Sequence, residues 1–390
     1  MEITGTRQGA LITNLSGAMA YKSFRPAPLA SVLPLNLSDE TMLLLSRCSR
    51  KLGEIVGMAR FVPNAEMYLT MYVRKEALLS AQIEGTQCTF DDVLDPDNQD
   101  LAHQDVSEVV SYVNALSYAV ERMKSLPLCT RLLRETHARL LRGTRGEEKT
   151  PGELRTSQNW IGPTGCVLRE APYVPPNVQD MMDALGELDV FINDGKGIDP
   201  VVKAALIHYQ FETIHPFLDG NGRLGRLLIT LSLINDGVLP DAMFYPSYQL
   251  KMRRREYYEC LTRVREEGDY ERWVEFFCSC ILESAEDAVS SMNMLVEVHQ
   301  RAEESIRGGM GKNLANGLAL LDLAEQHPIL DASFVASRLD VSRSTATNLI
   351  KTLCDLGVLR LRDTERRRYR VYVFEDYLRI LRSGGDPLPH

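Results

Sequence analysis

The chain contains no run of eighteen or more apolar residues, so no segment has the length and hydrophobicity of a membrane-spanning helix. Its N-terminus, MEITGTRQGALITNLSGAMAYKSF, lacks the basic start and apolar block of an export signal. A soluble cytoplasmic protein with no membrane partner is the expectation. The eight cysteines (Cys48, Cys88, Cys129, Cys166, Cys260, Cys278, Cys280, Cys354) include no C-x-x-C pair and match no histidine cluster, which removes both a zinc site and a disulfide framework. With 18 prolines and 26 glycines and no repeat, the collagen-like and low-complexity classes fall away too. Basic residues are outnumbered: the net charge of −9 argues against the whole chain being a general nucleic-acid binder.

What is present is an ordinary globular composition, 44% hydrophobic and 25% charged, over 390 residues, enough for two to four domains. The charge is uneven. Residues 341–390 carry ten Lys/Arg against six Asp/Glu, a local +4, while the preceding 340 residues carry −13. The last fifty residues are therefore an electrically distinct module.

Residues 1–37, with three prolines and no clear period, read as an extended arm packed on a body. Helical periods then dominate. Ser38 and Asp39 can cap a first helix, and Pro63-Asn64 opens a second that ends near Glu84-Gly85. Further periods span 105–124 and 128–141. Gly, Pro and alternating residues over 143–176 interrupt them and fit a hairpin. Helices resume at 177–193, from the Asp199-Pro200 cap to about Thr213, just after Gly220, at 248–266, and from 271 to about 305. Arg307-Gly-Gly-Met-Gly-Lys312 marks a domain boundary; it is no phosphate loop, because Ile306 and Asn313 stand where a Walker sequence needs Gly and Ser or Thr. Three more helical stretches (314–325, 331–339, 342–356) and a strand pair over 358–374 with a charged tip give the pattern of a winged helix. The expected division is 1–104, 105–306, a linker at 307–313, and a module at 314–382.

Chemistry concentrates in His215-Pro-Phe-Leu-Asp219-Gly220-Asn221-Gly222-Arg223-Leu-Gly-Arg226. Gly220 and Gly222 stand where a helix begins, so unpaired N–H groups and the positive end of the helix dipole face an incoming anion. Arg223 and Arg226, three apart on one helix face, can both reach phosphate oxygens. Asp219 is a hard oxygen ligand suited to Mg²⁺ shared with phosphates. His215 is the nearby group able to accept a proton near neutral pH. The same letters satisfy G-x-G-x-x-G, but a dinucleotide fingerprint must follow a buried parallel strand, and residues 202–213 carry a helical period.

This segment resembles the core motif of the Fic family, His-Pro-Phe-x-Asp/Glu-Gly-Asn-Gly-Arg-x-x-Arg, at every fixed position. The resemblance implies a mainly α protein: a Fic-type helical bundle with a short β-hairpin flap, here followed by a C-terminal winged-helix domain. It implies a protein adenylyltransferase, transferring AMP from ATP to a Ser, Thr or Tyr hydroxyl of a target protein or of itself. His215 would then be the base, and Asp219 would hold Mg²⁺ against the α- and β-phosphates. Gly220, Asn221 and Gly222 would form the anion nest, Arg223 and Arg226 would steady the β- and γ-phosphates, and Phe217 would plug the loop into the core. Relatives that transfer UMP or phosphocholine, or remove AMP, leave the nucleotide open.

Upstream, Ser80-Ala-Gln-Ile-Glu84-Gly85 resembles the family's inhibitory motif, Ser/Thr-x-x-x-Glu-Gly/Asn. It implies that Glu84 pairs with Arg226 in place of the γ-phosphate. Gly152-Glu-Leu-Arg155, Asn159-Trp-Ile-Gly162 and Tyr173-Val-Pro-Pro176 resemble the flap beside the active site, where a target chain adds as a strand. Tyr21-Lys-Ser-Phe24-x-Pro26-x-Pro28 resembles the N-terminal arm of this subgroup. In the last module, Arg343, Ser344, Thr347, Asn348 and Lys351 would read DNA, and Arg366, Arg367, Arg368 and Arg370 would form the wing. A DNA-binding regulator with a nucleotide-sensing body is the alternative to the enzyme, and a homodimer is left open.

Overall fold

A computed structural model describes residues 3–5, 7–59, 65–95, 104–163, 165–195, 197–362 and 370–387. The chain starts with a two-stranded antiparallel sheet, β1 (Gly9–Asn14) and β2 (Tyr21–Pro26), and a helical turn α1 (Leu29–Val32). The arm expected at 1–37 is therefore a hairpin in part. It packs on the body as expected: Thr4 N–H donates to the Glu266 carbonyl at 3.0 Å and Phe24 N–H to the Val174 carbonyl at 2.9 Å.

The body is helical throughout: α2 (Asp39–Ala59), α3 (Ala65–Ile83), α4 (Phe90–Leu94), α5 (Gln104–Met123), α6 (Thr130–Leu140), α7 (Val178–Asp194), α8 (Pro200–Ile214), α9 (Asn221–Asn235), α10 (Ser247–Met252), α11 (Arg254–Glu267) and α12 (Tyr270–Gly309). Two of the caps are those the sequence offers, while Pro63 and Asn64 lie outside the described residues. Ser38 Oγ accepts from Thr41 N–H at 3.1 Å, and Asp199 accepts from Val201 N–H at 2.8 Å, with Pro200 in the first helical position. Every residue of α8 from Val201 to Ile214 is buried, as is most of α9, so this antiparallel pair forms the centre of the bundle. The loop joining them, residues 215–220, is thereby fixed at both ends by core packing.

Three expectations change. The hairpin over 143–176 reduces to one antiparallel bridge, Ile161 to Tyr173, because Pro163, Pro172, Pro175 and Pro176 have no N–H to extend a ladder. The stretch 248–266 breaks into α10 and α11 at Arg253. The last body helix does not stop before the glycines but runs 40 residues, about 60 Å, through Gly308 and Gly309. The chain then turns at Met310 and a 3₁₀ turn, Gly311–Asn313.

Beyond it lie α13 (Leu314–Gln326), β3 (Ile329–Asp331), α14 (Ala332–Arg338), α15 (Arg343–Asp355), β4 (Arg360–Leu361), β5 (Val371–Val373) and α16 (Glu375–Leu381). The strands form a three-stranded antiparallel sheet in the order β3-β5-β4. Ser342 caps α15 through Thr345 N–H at 3.1 Å. Arg343, Ser344, Thr347, Asn348 and Lys351 are all exposed on α15; Arg366, Arg367 and Arg368 lie outside the described residues. No helix among the described residues is long and apolar enough to cross a membrane.

Candidate active site

The α8–α9 loop begins with His215 in the left-handed region (φ 51°, ψ 60°), a conformation that costs a non-glycine residue about 1–3 kcal/mol. The surroundings hold it there. Its carbonyl accepts from Arg155 Nε at 3.0 Å and from Asn159 Nδ2 at 3.1 Å. Arg155 is itself buried and spends its remaining donors on the carbonyls of Ser157 (3.2 Å) and Pro176 (2.5 Å), while its N–H donates to the Pro216 carbonyl at 2.9 Å. The flap residues thus serve first as a frame for the histidine.

His215 Nδ1 faces the Glu212 carbonyl at 3.3 Å. A carbonyl oxygen only accepts, so Nδ1 carries the hydrogen and Nε2 keeps its lone pair. Burial pushes the imidazole pKa down to about 4, helped by the charges of Arg265 and Arg155, so the ring is neutral at neutral pH.

Asn221 locks the loop's middle. Its Oδ1 accepts from Phe217 N–H and its Nδ2 donates to the Phe217 carbonyl, each at 2.9 Å. Its side chain is therefore committed to the backbone, and its part in an anion nest rests on its own N–H at the start of α9. Phe217 is buried and stacks on His137 with ring centroids 3.8 Å apart. Gly152 N–H donates to His137 Nδ1 at 2.8 Å, so His137 Nε2 carries the hydrogen and donates to the Asp219 carbonyl at 2.9 Å. Burial pushes the His137 pKa to about 4.

Asp219 Oδ1 accepts from Gly220 N–H at 2.7 Å. Its Oδ2 lies 2.6 Å from where a Cβ would sit on Gly146, so a glycine keeps this corner clear. Gly220 takes a left-handed conformation (φ 75°) as the residue before α9. Arg223, in the first turn, is 5% exposed; its Nε and Nη1 have no hydrogen-bond partner, and Nη1 lies 3.7 Å from Glu108. A buried guanidinium with unspent donors beside a helix N-terminus suits a bound anion.

Arg226 is already occupied. It donates from Nε to Ser80 Oγ at 2.9 Å, and from Nη2 to the Ser80 carbonyl at 3.0 Å and to Glu84 Oε1 at 2.6 Å. The Glu84 carboxylate lies over the nest, with Oε1 2.2 Å from where a Cβ would sit on Gly222. Burial works to raise the Glu84 pKa, but the charges of Arg226 and Arg223 prevail and hold it below the ordinary value. Gly85 turns the chain just after it with φ 101°. The structure therefore brings Ser80, Glu84, His215, Asp219, Gly220, Asn221, Gly222, Arg223 and Arg226 around one pocket.

Two residues of this pocket had no signal in the sequence. His137 stands within an ordinary amphipathic helix, and Glu108, which accepts from Thr86 Oγ1 (2.7 Å) and Arg145 Nε (2.9 Å) and faces Arg223, looks like any helix-surface acid. Among the described residues no group of three or more His, Cys, Asp or Glu side chains could hold a metal ion. A Mg²⁺ ion here would depend on Asp219 together with substrate oxygens, which is how that ion is commonly held.

Comparison with known proteins identifies a Fic/DOC family N-terminal domain over residues 42–121 and a Fic/DOC family domain over residues 127–233. Protein adenylyltransferase Fic of Drosophila yakuba is 30% identical over 183 residues, 45% of this chain and 34% of the relative. The Drosophila melanogaster protein of the same name is 29% identical over the same shares. The chain thus spans about a third of the length of these relatives. A crystal structure of a Fic family protein from Desulfovibrio desulfuricans superimposes with a TM-score of 0.54 at 22% identity, over 87% of this chain and 97% of that one, which is a likeness of fold.

Proposed function

Carrying a Fic/DOC N-terminal domain followed by a Fic/DOC domain, this chain is a Fic-family protein, and we propose that it transfers AMP from ATP to a hydroxyl side chain of a target protein or of itself. The observation that carries the reading is the neutral His215 with its Nε2 lone pair, held in a strained conformation beside the α9 N-terminus and two arginines.

In the proposed reaction His215 Nε2 takes the proton of the target hydroxyl. The hydroxyl oxygen bonds to the α-phosphorus, and the bond from that phosphorus to the pyrophosphate oxygen breaks. Backbone N–H groups of Gly220, Asn221 and Gly222 face the negative charge that builds on the phosphate oxygens. Arg223 directs its unspent donors at the same charge. Asp219 would hold Mg²⁺, which when bound supplies positive charge against the phosphates. Leu218 of the motif loop and Trp160 and Ile161 of the flap segment are exposed and offer apolar surface to a polypeptide substrate.

Glu84 makes the resting enzyme autoinhibited in this reading. Its carboxylate uses the Arg226 donor that a γ-phosphate would need, so ATP is excluded from its productive pose until Glu84 moves. In this reading the chain is divided functionally at 1–104, 105–306, 307–313 and 314–382, the third of these beginning within the last turn of α12. The C-terminal unit follows the helix–strand–helix–helix–hairpin order of a winged helix, a fold that serves either to read DNA or to dock protein, and its exposed Arg343, Ser344, Thr347, Asn348 and Lys351 are the side chains a DNA partner would meet. Incubating the protein with ATP, Mg²⁺ and a lysate, then seeking a mass gain of one AMP unit on any chain, tests the enzyme reading. Absence of that gain with the Glu84→Gly variant contradicts it.

A further inference from the structure

The segment that carries Glu84 is fastened largely by residues outside the His215–Arg226 motif and the frame that holds it. Gln82, two residues before Glu84, is buried with its amide fully used: Nε2 donates to the carbonyls of Cys88 (2.9 Å) and Gly385 (2.8 Å), and Oε1 accepts from Lys251 Nζ at 2.6 Å. Lys251, at the end of α10, is buried too. It also donates to the carbonyls of Gly384 (2.8 Å) and Asp386. An ammonium with three donors thus meets three acceptors, two of them from the C-terminal segment.

The approach is tight. Gly384 has φ 72°, and a Cβ there would lie 2.0 Å from a Tyr248 ring carbon, so the segment reaches Lys251 only because residue 384 is glycine. Downstream of Glu84 the same C-terminal unit returns. Arg382 grips both carboxylate oxygens of Asp91 at 2.6 and 2.8 Å, and Arg362 pairs with Asp95. Residues 82–95 are therefore tied at one end to Lys251 and residues 384–386, and at the other to Arg382 and Arg362. Between these ties sit Glu84 on Arg226 and Thr86 on Glu108.

We infer that Lys251, Gln82 and the C-terminal segment 382–386 are positioning elements for the inhibitory carboxylate, so that the C-terminal unit sets how firmly Glu84 occupies Arg226. The inference rests on the reading of Glu84 as an inhibitor. Its physical basis is that a buried network satisfied at every atom has one arrangement; removing one member strands the rest and frees the segment. A partner that displaces residues 382–386 would release Glu84 without touching the nucleotide pocket, which joins the two units in one regulatory device.

The test is a double-mutant cycle on the full chain: parent, Lys251→Met, Glu84→Gly, and both together. Self-labelling by ATP is read alongside hydrogen exchange of the amides at 84–88. Lys251→Met is expected to raise labelling about 5-fold or more and to speed that exchange, yet to add nothing in the Glu84→Gly background. Arg382→Gln, at the half-exposed Asp91 tie, is a second route to the same outcome should Lys251→Met fold poorly. Unchanged labelling in both brace variants beside a faster Glu84→Gly would overturn this inference alone, as would an equal change in both backgrounds. A Glu84→Gly variant no faster than the parent would overturn the autoinhibition reading and this inference with it.

Discussion

Glu84 and Arg226, 142 residues apart in the chain, meet at 2.6 Å at the mouth of the pocket. Ser80, one helical turn before Glu84, shares the same guanidinium: its hydroxyl accepts from Nε and its carbonyl from the Nη2 that also donates to Glu84. A hydrogen bond between charged groups is worth about 1.5–3 kcal/mol, so Glu84→Gly is expected to raise self-modification roughly 10- to 100-fold, read with ATP labelled at the α-phosphate. A rate equal to that of the parent would refute autoinhibition.

His215→Ala removes the base and none of the phosphate donors. Transfer is expected to fall by about 10²–10⁴-fold, while ATP binding followed by calorimetry in the Glu84→Gly background stays within a few-fold. Retained transfer by His215→Ala would assign proton removal to another group.

Burial sets the pH behaviour. His215 and His137 are pushed to about 4, and His208 to about 3, from 6.5. A base with so low a pKa is already unprotonated above pH 6, so the rate should be flat with respect to His215 from pH 6 to 8 and fall toward pH 4. For stability, each folded-state pKa is depressed, and below about 6.5 the unfolded chain binds protons the native chain does not. These rings therefore contribute stability that rises with pH between about 4 and 6.5, while the Glu76 and Glu212 carboxyls, pushed up to about 7 by burial, contribute in the opposite sense over about pH 4.5 to 7. Ring resonances that titrate near 6.5 in the folded protein, read by NMR, would contradict the neutral state of these histidines.

His137 joins three parts of the site: the Gly152 N–H, the Asp219 carbonyl and the Phe217 ring. His137→Leu keeps a bulky apolar side chain but strands one partly buried N–H and one partly buried carbonyl, each costing up to about 1–3 kcal/mol. We expect a melting temperature several degrees lower and a weaker Mg²⁺ dependence of ATP binding. Both unchanged would remove His137 from the frame of the loop.

The helical bundle and the motif loop were legible because their signals are local. Alternating small turns and 3.6-residue periods mark α8 and α9, and the loop's chemistry is contiguous in sequence. The β1–β2 hairpin was less visible, since its six-residue strands pair with each other in a proline-containing arm and dock on α7 and α8, contacts that no local period announces. The frame around His215 was illegible for a different reason. Arg155, Asn159 and His137 act through backbone carbonyls and N–H groups, and a residue that bonds to backbone leaves no complementary side chain to find in the sequence. The brace from Lys251 to residues 384–386 is hidden in the same way.

Exposure of Arg343, Ser344, Thr347, Asn348 and Lys351 on α15 predicts that the full chain binds duplex DNA with an affinity that falls steeply as salt rises from 50 to 200 mM. A gel shift or anisotropy titration checks this. No binding at the lower salt would leave protein docking as the role of that face.

The most direct measurement compares intact masses after incubation with ATP and Mg²⁺ for Glu84→Gly and for Glu84→Gly combined with His215→Ala. The account predicts the mass of one AMP added to the first protein and none to the second. An unmodified Glu84→Gly chain, in the presence of lysate targets that also stay unmodified, or equal modification by both variants, would contradict it.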